Sequence, residues 1–201
     1  MTILVLAQHD NETLNAATLT SVQAATQIAS LSGAAVHLLV AGSGCQAVAD
    51  AAAAVEGVAE VLLADAPQYG AGLAEEIAPL IAQVAGDGYS HVLCASTSQG
   101  KDALPRAAAL LDVGQISDIV AVVAANQYKR PVYAGNAIAT VESLDSVQVI
   151  TVRASAFDAV AATGGSASVR AVEGPAATGL SEFVSNELVK SDRPDLASAD
   201  V

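Results

Sequence analysis

The sequence predicts an α/β fold: a three-layer sandwich with helices on both faces of a mostly parallel central sheet. Short apolar runs alternate with helix-period segments through the first 111 residues, which is the pattern of repeated strand–helix units. Hydrophobic residues make up 53% of the chain and aromatics 3%, with about 45 alanines, far above ordinary usage. At 201 residues the chain can bury roughly 70% of its unfolded surface, so its core needs no disulfide or metal staple.

Each element follows from local pattern. Thr2–Ala7 is a short apolar run, as a strand buried on both faces requires. Leu14, Ala17, Ser21, Ala24, Ile28 and Leu31 recur at spacings of three and four, one helix face interrupted only by Ser21. Gly33 supplies the stop. Ala35–Ala41 reads as the second strand, Ala47–Val55 as the second helix and Val58–Ala64 as the third strand. Leu73, Ile77, Leu80, Ile81 and Val84 mark a third helix, with a kink expected at Pro79. His91–Ala95 is the fourth strand. Asp102–Leu111 is the fourth helix, placing Pro105 in its first turn.

After residue 116 the rhythm changes. Ile119–Ala124, Val132–Tyr133, Ala137–Val141 and Val147–Arg153 read as strands joined by short turns, which permits antiparallel pairing and predicts a mixed sheet. Thr163 to Thr178 is rich in Gly, Ser, Ala and Thr. Residues 190–200, KSDRPDLASAD, are polar around Pro194 and have linker composition. The expected organisation is one α/β domain over 1–189 followed by a linker over 190–201.

Charge and hydropathy exclude whole classes. A net charge of −13 with only 14% charged residues repels nucleic-acid phosphates. The apolar content is too high for a disordered chain. Mean hydropathy is +0.48, yet no run of roughly 20 strongly apolar residues exists. Thr13–Ala49 lacks Asp, Glu, Lys and Arg but is interrupted by Thr, Ser, Asn and Gln every few residues. The chain opens into Thr2–Leu6 with no basic residue, and the first one anywhere is Lys101, so neither a secretory nor a transit peptide is expected. Cys45 and Cys94 lie far apart and fit a reducing compartment.

Two motifs invite a nucleotide. Gly42-Ser43-Gly44-Cys45-Gln46-Ala47 matches G-x-G-x-x-A between a strand and a helix, and Asp65 stands about 20 residues on, where a ribose-binding acid would sit. Such glycines are also ordinary in any tight strand-to-helix turn, and the match falls on the second unit, so a structural turn is the favoured reading. Ala95–Asp102 (ASTSQGKD) approaches a P-loop, but Ala95 replaces the first glycine and Asp102 the metal-binding hydroxyl. The hydroxyls of Ser96, Thr97 and Ser98 are expected to cap the next helix. His9, His37 and His91 have no metal spacing, and the cysteines form no C-x-x-C. Cys94 reads as a core thiol, and Asp10 and Glu12 as solvated loop carboxylates. No G-x-S-x-G elbow is present.

The segments GKDALPRAAALL (100–111), QISDI (115–119), RPVYAGNAIAT (130–140), TVRASAFD (151–158) and KSDRPDL (190–196), with VAGSGCQAVADAAA at 40–53, together resemble the alpha subunit of electron transfer flavoprotein, in order and spacing across the whole chain. The resemblance implies an N-terminal α/β domain of adenine-nucleotide-hydrolase-like, Rossmann-type topology. It implies a beta subunit as heterodimer partner. It also implies one FAD, which takes electrons from acyl-CoA dehydrogenases of fatty acid β-oxidation and related flavoenzymes and hands them to a membrane-associated quinone oxidoreductase.

In that family the FAD is held mainly by a C-terminal alpha-subunit domain that follows the KSDRPDL-type linker, and an AMP sits in the beta subunit. No catalytic, cofactor-binding or metal residue is therefore carried over onto these 201 residues, and FAD is expected to be absent from this chain. An electron-transfer subunit rather than an enzyme is implied, not inserted in a membrane, cytoplasmic in a bacterium or in the mitochondrial matrix of a eukaryote. Gly42–Ala47 becomes a structural turn, and Lys101 and Arg106 are expected to pair with carboxylates in the fold or at the subunit interface. Two other readings stay open: a universal-stress-like nucleotide-binding module using the C-terminal ends of strands one, two and four, and an NAD-binding enzyme using Gly42, Gly44 and Asp65.

Overall fold

The computed structural model describes residues 1–187, so the linker expected at 190–201 lies outside the described residues. The chain runs β1 (Thr2–Leu6), α1 (Ala16–Ser32), β2 (Ala35–Gly42), α2 (Gln46–Ala53), β3 (Glu60–Asp65), α3 (Ala74–Ala85), β4 (Tyr89–Ala95) and α4 (Ser98–Leu110). Then come β5 (Gln115–Ile119), β6 (Ala121–Ala124), β7 (Gln127–Val132), β8 (Ala137–Glu142), β9 (Gln148–Val152) and β10 (Ser168–Ala171). Seven strands form one sheet in the order β10-β3-β2-β1-β4-β9-β5, and every pairing in it is parallel.

Strand alternation divides the core in two. Ile3, Val5, Leu38, Val40 and Val61 face α1 and α2; Leu4, Leu6, Leu39, Ala41 and Leu62 face α3 and α4. Both faces are covered, which is why these strands read as continuous apolar runs. Ser21 is tolerated on the buried face of α1 because its hydroxyl bonds back to the Ala17 carbonyl at 3.1 Å. Gly33 ends α1 in the left-handed region at φ 70°, and its N–H reaches the Ala29 carbonyl at 2.8 Å.

Three expectations are corrected. The later antiparallel strands do not make the main sheet mixed: β6, β7 and β8 form their own three-stranded antiparallel sheet. Their connections, Ala125–Asn126 and Tyr133–Asn136, are too short for parallel crossovers. Tyr128, Val122 and Val141 seat this small sheet on the α1 face. The run read as one strand over Ile119–Ala124 is split at Val120, after a register shift at Asp118, whose φ is 61°.

The fourth helix begins at Ser98, four residues early, because Thr97 caps it, and Pro105 becomes its eighth residue. That leaves the Lys101 carbonyl without its usual N–H partner. The Gly- and Ser-rich stretch after Thr163 contains the edge strand β10, docked on β3 and clamped by Arg170, whose Nε and Nη2 lie 3.0 and 3.2 Å from the Glu60 carboxylate.

The closest approach of a glycine to backbone among the described residues is at Gly100. A Cβ there would lie 2.0 Å from the Ala95 carbonyl oxygen and 3.1 Å from Cys94 Sγ, so α4 packs on β4 at a distance only glycine allows. Gly100→Ala is expected to cost about 2–3 kcal/mol in urea unfolding, as overpacking of a close contact does. Gly33→Ala, which meets nothing within 4 Å, should cost only about 1 kcal/mol from its positive φ. Equal losses for the two variants would contradict this.

Candidate functional site

In a doubly wound parallel sheet the chain leaves a crevice where strand order reverses, beyond the carboxyl ends of the strands. Here β1 carries β2 on one side and β4 on the other, so the loops after β1 and β4 diverge. A cavity of about 610 Å³ lies there, walled by His9, Asn11, Tyr69, Gly72, Gln99 and Asp102 among others.

Just after β1, and immediately before the lining residue His9, stands the buried side chain of Gln8. Its Nε2 lies within reach of three acceptors on the opposite strand end: Cys94 Sγ at 3.2 Å, the Ala95 carbonyl at 3.4 Å and Thr97 Oγ1. Its backbone N–H donates to Thr18 Oγ1 at 2.9 Å, and its carbonyl accepts from the Asn15 N–H at 2.8 Å. One residue thus ties together β1, the start of α1, the end of β4 and the cap of α4. Burial pushes the Cys94 thiol up to about 12, consistent with the core thiol expected.

Asn11 forms the wall. Its φ is 74°, a region asparagine tolerates. Its Nδ2 donates to the Gly70 carbonyl at 2.9 Å, its Oδ1 accepts from the Ser43 N–H at 3.0 Å, and its own N–H donates to His9 Nδ1 at 3.1 Å. His9 accepts at Nδ1, which suits a neutral ring, and burial holds its pKa below the usual range. Asp10 accepts from the N–H groups of Thr13 and Glu12 at 2.6 and 2.9 Å, and these bonds lower its pKa.

The glycine pattern is brought to this crevice but is closed on itself. A Cβ at Gly42 would stand 2.4 Å from Asn11 Oδ1 and 2.9 Å from His9, so packing against the β1 loop demands glycine there. The Gly44 N–H, at a φ of 67°, donates to Asp65 Oδ1 at 2.7 Å. Asp65 therefore serves the loop itself. The Gly100 N–H is taken by the Thr97 hydroxyl at 3.4 Å, as the capping expectation has it.

A second cluster joins the ends of β4, β5 and β9. Ser96 Oγ donates to Thr151 Oγ1 at 3.0 Å, which also accepts from the Asp118 N–H at 2.8 Å. Arg153 holds Asp118, with Nε 3.1 Å from Oδ2 and Nη2 closer still, and that bond keeps the Asp118 carboxyl below the usual range. Two of the segments that carry the resemblance, QISDI and TVRASAFD, meet here. Lys101, from a third, adds its charge to those that lower the Asp118 pKa. Among the described residues Lys101 and Arg106 form no ion pair within the fold; those present there involve Arg153, Arg170 and His37. The Arg106 Nε is buried without a partner among the described residues. Sequence reading missed Gln8, Asn11 and the Asp118–Arg153 pair, for which the positions inside QISDI and TVRASAFD were the only local signal.

His91 is buried; its Nε2 lies 2.9 Å from the Ala125 carbonyl, so it carries the proton there, and Nδ1 faces the Ser90 hydroxyl at 2.8 Å. His37 Nδ1 faces the Tyr89 hydroxyl at 2.8 Å. Among the described residues no group of His, Cys, Asp and Glu could hold a metal, and no helix is long and apolar enough to cross a membrane. The crevice does not fit a flavin dinucleotide: the Ser43, Gly44 and Gly100 amides that could meet a pyrophosphate are occupied by Asn11, Asp65 and Thr97, and Asp10 and Asp102 stand at its wall.

These features define a class: a doubly wound α/β domain whose phosphate-cradling loops are closed on their own side chains. Residues 3–177 match the family model for the electron transfer flavoprotein domain, and the chain belongs to that family. It is 58% identical over 201 residues to the electron transfer flavoprotein subunit alpha of Pseudomonas aeruginosa, covering 100% of this chain and 63% of that protein. It is 51% identical over 201 residues to the subunit alpha of Bradyrhizobium diazoefficiens, covering 100% of this chain and 62% of the relative. It is 41% identical over 214 residues to the mitochondrial subunit alpha of Dictyostelium discoideum, covering 100% of this chain and 59% of the relative. The chain thus matches the N-terminal part of these relatives and spans about three fifths of their length.

Replacing Gln8 with Leu, of similar size, should cost about 1–3 kcal/mol, because buried acceptors lose their donor. Urea unfolding checks this, and a neutral substitution would remove Gln8 from its organising role. The titrations set a pH profile. Burial lowers the pKa of His9, His37 and His91, so as pH falls below about 6.5 the unfolded chain takes up protons that the fold refuses, and stability declines.

Asp10, Glu60, Glu76 and Asp118 have depressed pKa values in the fold, so their contribution is present above about pH 4 and is lost as pH falls through the folded values. The thermal midpoint by circular dichroism should be flat between about pH 7 and 8 and fall in two stages below that window. His91→Gln should soften the first stage, and a midpoint constant from pH 7 to 5 would refute the profile.

Proposed function

We propose that this chain is the α/β scaffold part of an electron carrier, the alpha subunit of an electron transfer flavoprotein. In this reading it pairs with a beta subunit, receives electrons from acyl-CoA dehydrogenases and related flavoenzymes, and passes them to a quinone oxidoreductase. The observation that carries the reading is the match over residues 3–177, together with relatives named subunit alpha that align along the whole chain. Residues 1–187 serve as support and docking surface and carry no redox chemistry of their own; FAD is held elsewhere in the assembly. The occupied amides of Ser43, Gly44 and Gly100 support that division of labour. A location in the mitochondrial matrix or the bacterial cytoplasm goes with the same reading.

The test is to purify the 201-residue chain alone and with an electron transfer flavoprotein beta subunit. Alone, it should be colourless, should bind neither NADH nor adenine nucleotides at micromolar concentration, and should associate weakly with itself at rising concentration in sedimentation. With the beta subunit it should co-elute, and self-association should vanish. Stoichiometric flavin retained through gel filtration would sink the scaffold reading. Micromolar NADH binding that is lost in Asp65→Ala would instead favour the dinucleotide enzyme.

A further inference from the structure

The switch-point crevice has one wall that belongs to neither the sheet nor the helices. Residues 172–187 leave β10 without regular secondary structure, cross the amino end of α3 and reach the crevice, where Phe183 and Asn186 line the cavity beside His9, Asn11, Gln99 and Asp102. The first part of this segment is well fastened. Val172 N–H donates to the Leu63 carbonyl at 2.9 Å, Gln83 Nε2 to the Glu173 carbonyl at 2.8 Å and Gln68 Nε2 to the Pro175 carbonyl at 3.3 Å. Gly174 packs so closely on the Tyr69 hydroxyl and Leu80 that a Cβ would fall 1.9 and 2.9 Å from them.

The last fastening is of another kind. Glu76, in the first turn of α3 and only 6% exposed, points its carboxylate at Thr178. The Thr178 N–H lies 3.0 Å from both carboxylate oxygens, and its hydroxyl donates to Oε1 at 2.7 Å. A nearly buried carboxylate is costly without partners, and Thr178 supplies both a backbone and a hydroxyl donor. The neighbouring Gly179 amide faces the same carboxylate. Beyond Gly179 the described residues make no further hydrogen bond to the body; the one recorded, from Leu180 N–H to Thr178 Oγ1, stays within the segment. Phe183 is 48% exposed, so its own packing holds it only in part.

We propose that Glu76 and Thr178 form a latch that holds residues 180–187 across the crevice as a strap, and that release of this one contact widens the mouth of the cavity. The strap and the latch stand on the geometry alone and do not depend on the electron-carrier reading. Glu76 and Thr178 are positioning residues: they act on the crevice through the segment they fasten.

The chain has no tryptophan, so Phe183→Trp places a single indole on the strap, excited apart from the tyrosines. In that background the expected emission is partly shielded from acrylamide. Thr178→Val and, separately, Glu76→Ala should shift the closed-to-open ratio by roughly tenfold or more, the scale expected when hydrogen bonds to a charged acceptor are lost. Emission should then move to the red, quenching should approach that of free tryptophan, and the Thr178 amide should lose its hydrogen-exchange protection in Glu76→Ala.

Thr178→Ser keeps both donors and should behave as the Phe183→Trp parent. Far-UV circular dichroism establishes that each variant is folded, and Thr178→Val, which alters only the peripheral segment, keeps the test open if Glu76→Ala unfolds. Unchanged quenching in folded Thr178→Val, full exposure of the introduced indole in the Phe183→Trp parent, or Thr178→Ser behaving as Thr178→Val would each overturn the proposal.

Discussion

The carboxyl edge of the sheet depends on the buried amide of Gln8. At a topological switch point the two neighbouring loops turn away from each other, and the chain has no backbone hydrogen bond to hold them together. Gln8 closes that gap by donating across from the end of β1 to Cys94, Ala95 and Thr97, 86 to 89 residues away. An amide suits this position better than an apolar side chain, because the strand end presents acceptors that burial would otherwise leave unpaired. The consequences spread outward. Thr97 is fixed as the cap of α4, α4 begins at Ser98, and Gly100 is pressed onto the Ala95 carbonyl.

That close approach is typical of how this alanine-rich chain builds its core. Ala24, Ala25, Ala49, Ala52, Ala103, Ala107 and Ala108 are buried on the helices, while Leu, Ile and Val fill the strands. Small helix residues against large strand residues interdigitate and let helix backbones lie near the sheet. Each alanine removes little apolar area from water, so the hydrophobic stabilisation rests on the strand residues and on the apolar face of α3. Tight backbone approach then makes glycine obligatory where helix meets strand, as at Gly100, or where loop meets helix end, as at Gly165; a Cβ at Gly165 would stand 2.2 Å from the Val55 carbonyl.

What could be read from sequence follows the range of the interactions involved. The first four strand–helix units were legible because burial on two faces imposes a continuous apolar run and burial on one face a period near 3.6. Gly33 and Thr97 were legible because stops and caps are local. β10 was not, because Ser168–Ala171 is exposed and is held by pairing with β3 and by the Arg170–Glu60 ion pair, across 110 residues. The separate sheet of β6–β8 was not, since short turns determine that strands pair antiparallel but not where the hairpins pack. In the crevice the residue types of the glycine pattern were visible, and so was its structural reading. Asn11 and Gln8 were invisible, because their partners are supplied by other loops.

The same long-range partners separate a scaffold from a cradle. A glycine-rich turn binds phosphate when its N–H groups point outward with nothing to accept them. Here Asn11 accepts from Ser43, Asp65 from Gly44 and Thr97 from Gly100, so each of these donors is neutralised from within. Asp10 and Asp102 add carboxylates at the wall, and the neighbouring His9 is held neutral-leaning by burial, so no positive charge offsets them. The cavity that remains is walled largely by polar side chains and carries two carboxylates, so it suits an occupant that brings no negative charge. A segment of the chain itself, lining it with Phe183 and Asn186, meets that demand without bringing a phosphate, and the one strong electrostatic bond it needs is placed outside the cavity, at Glu76. The loops at the carboxyl edge of the sheet thereby hold one another.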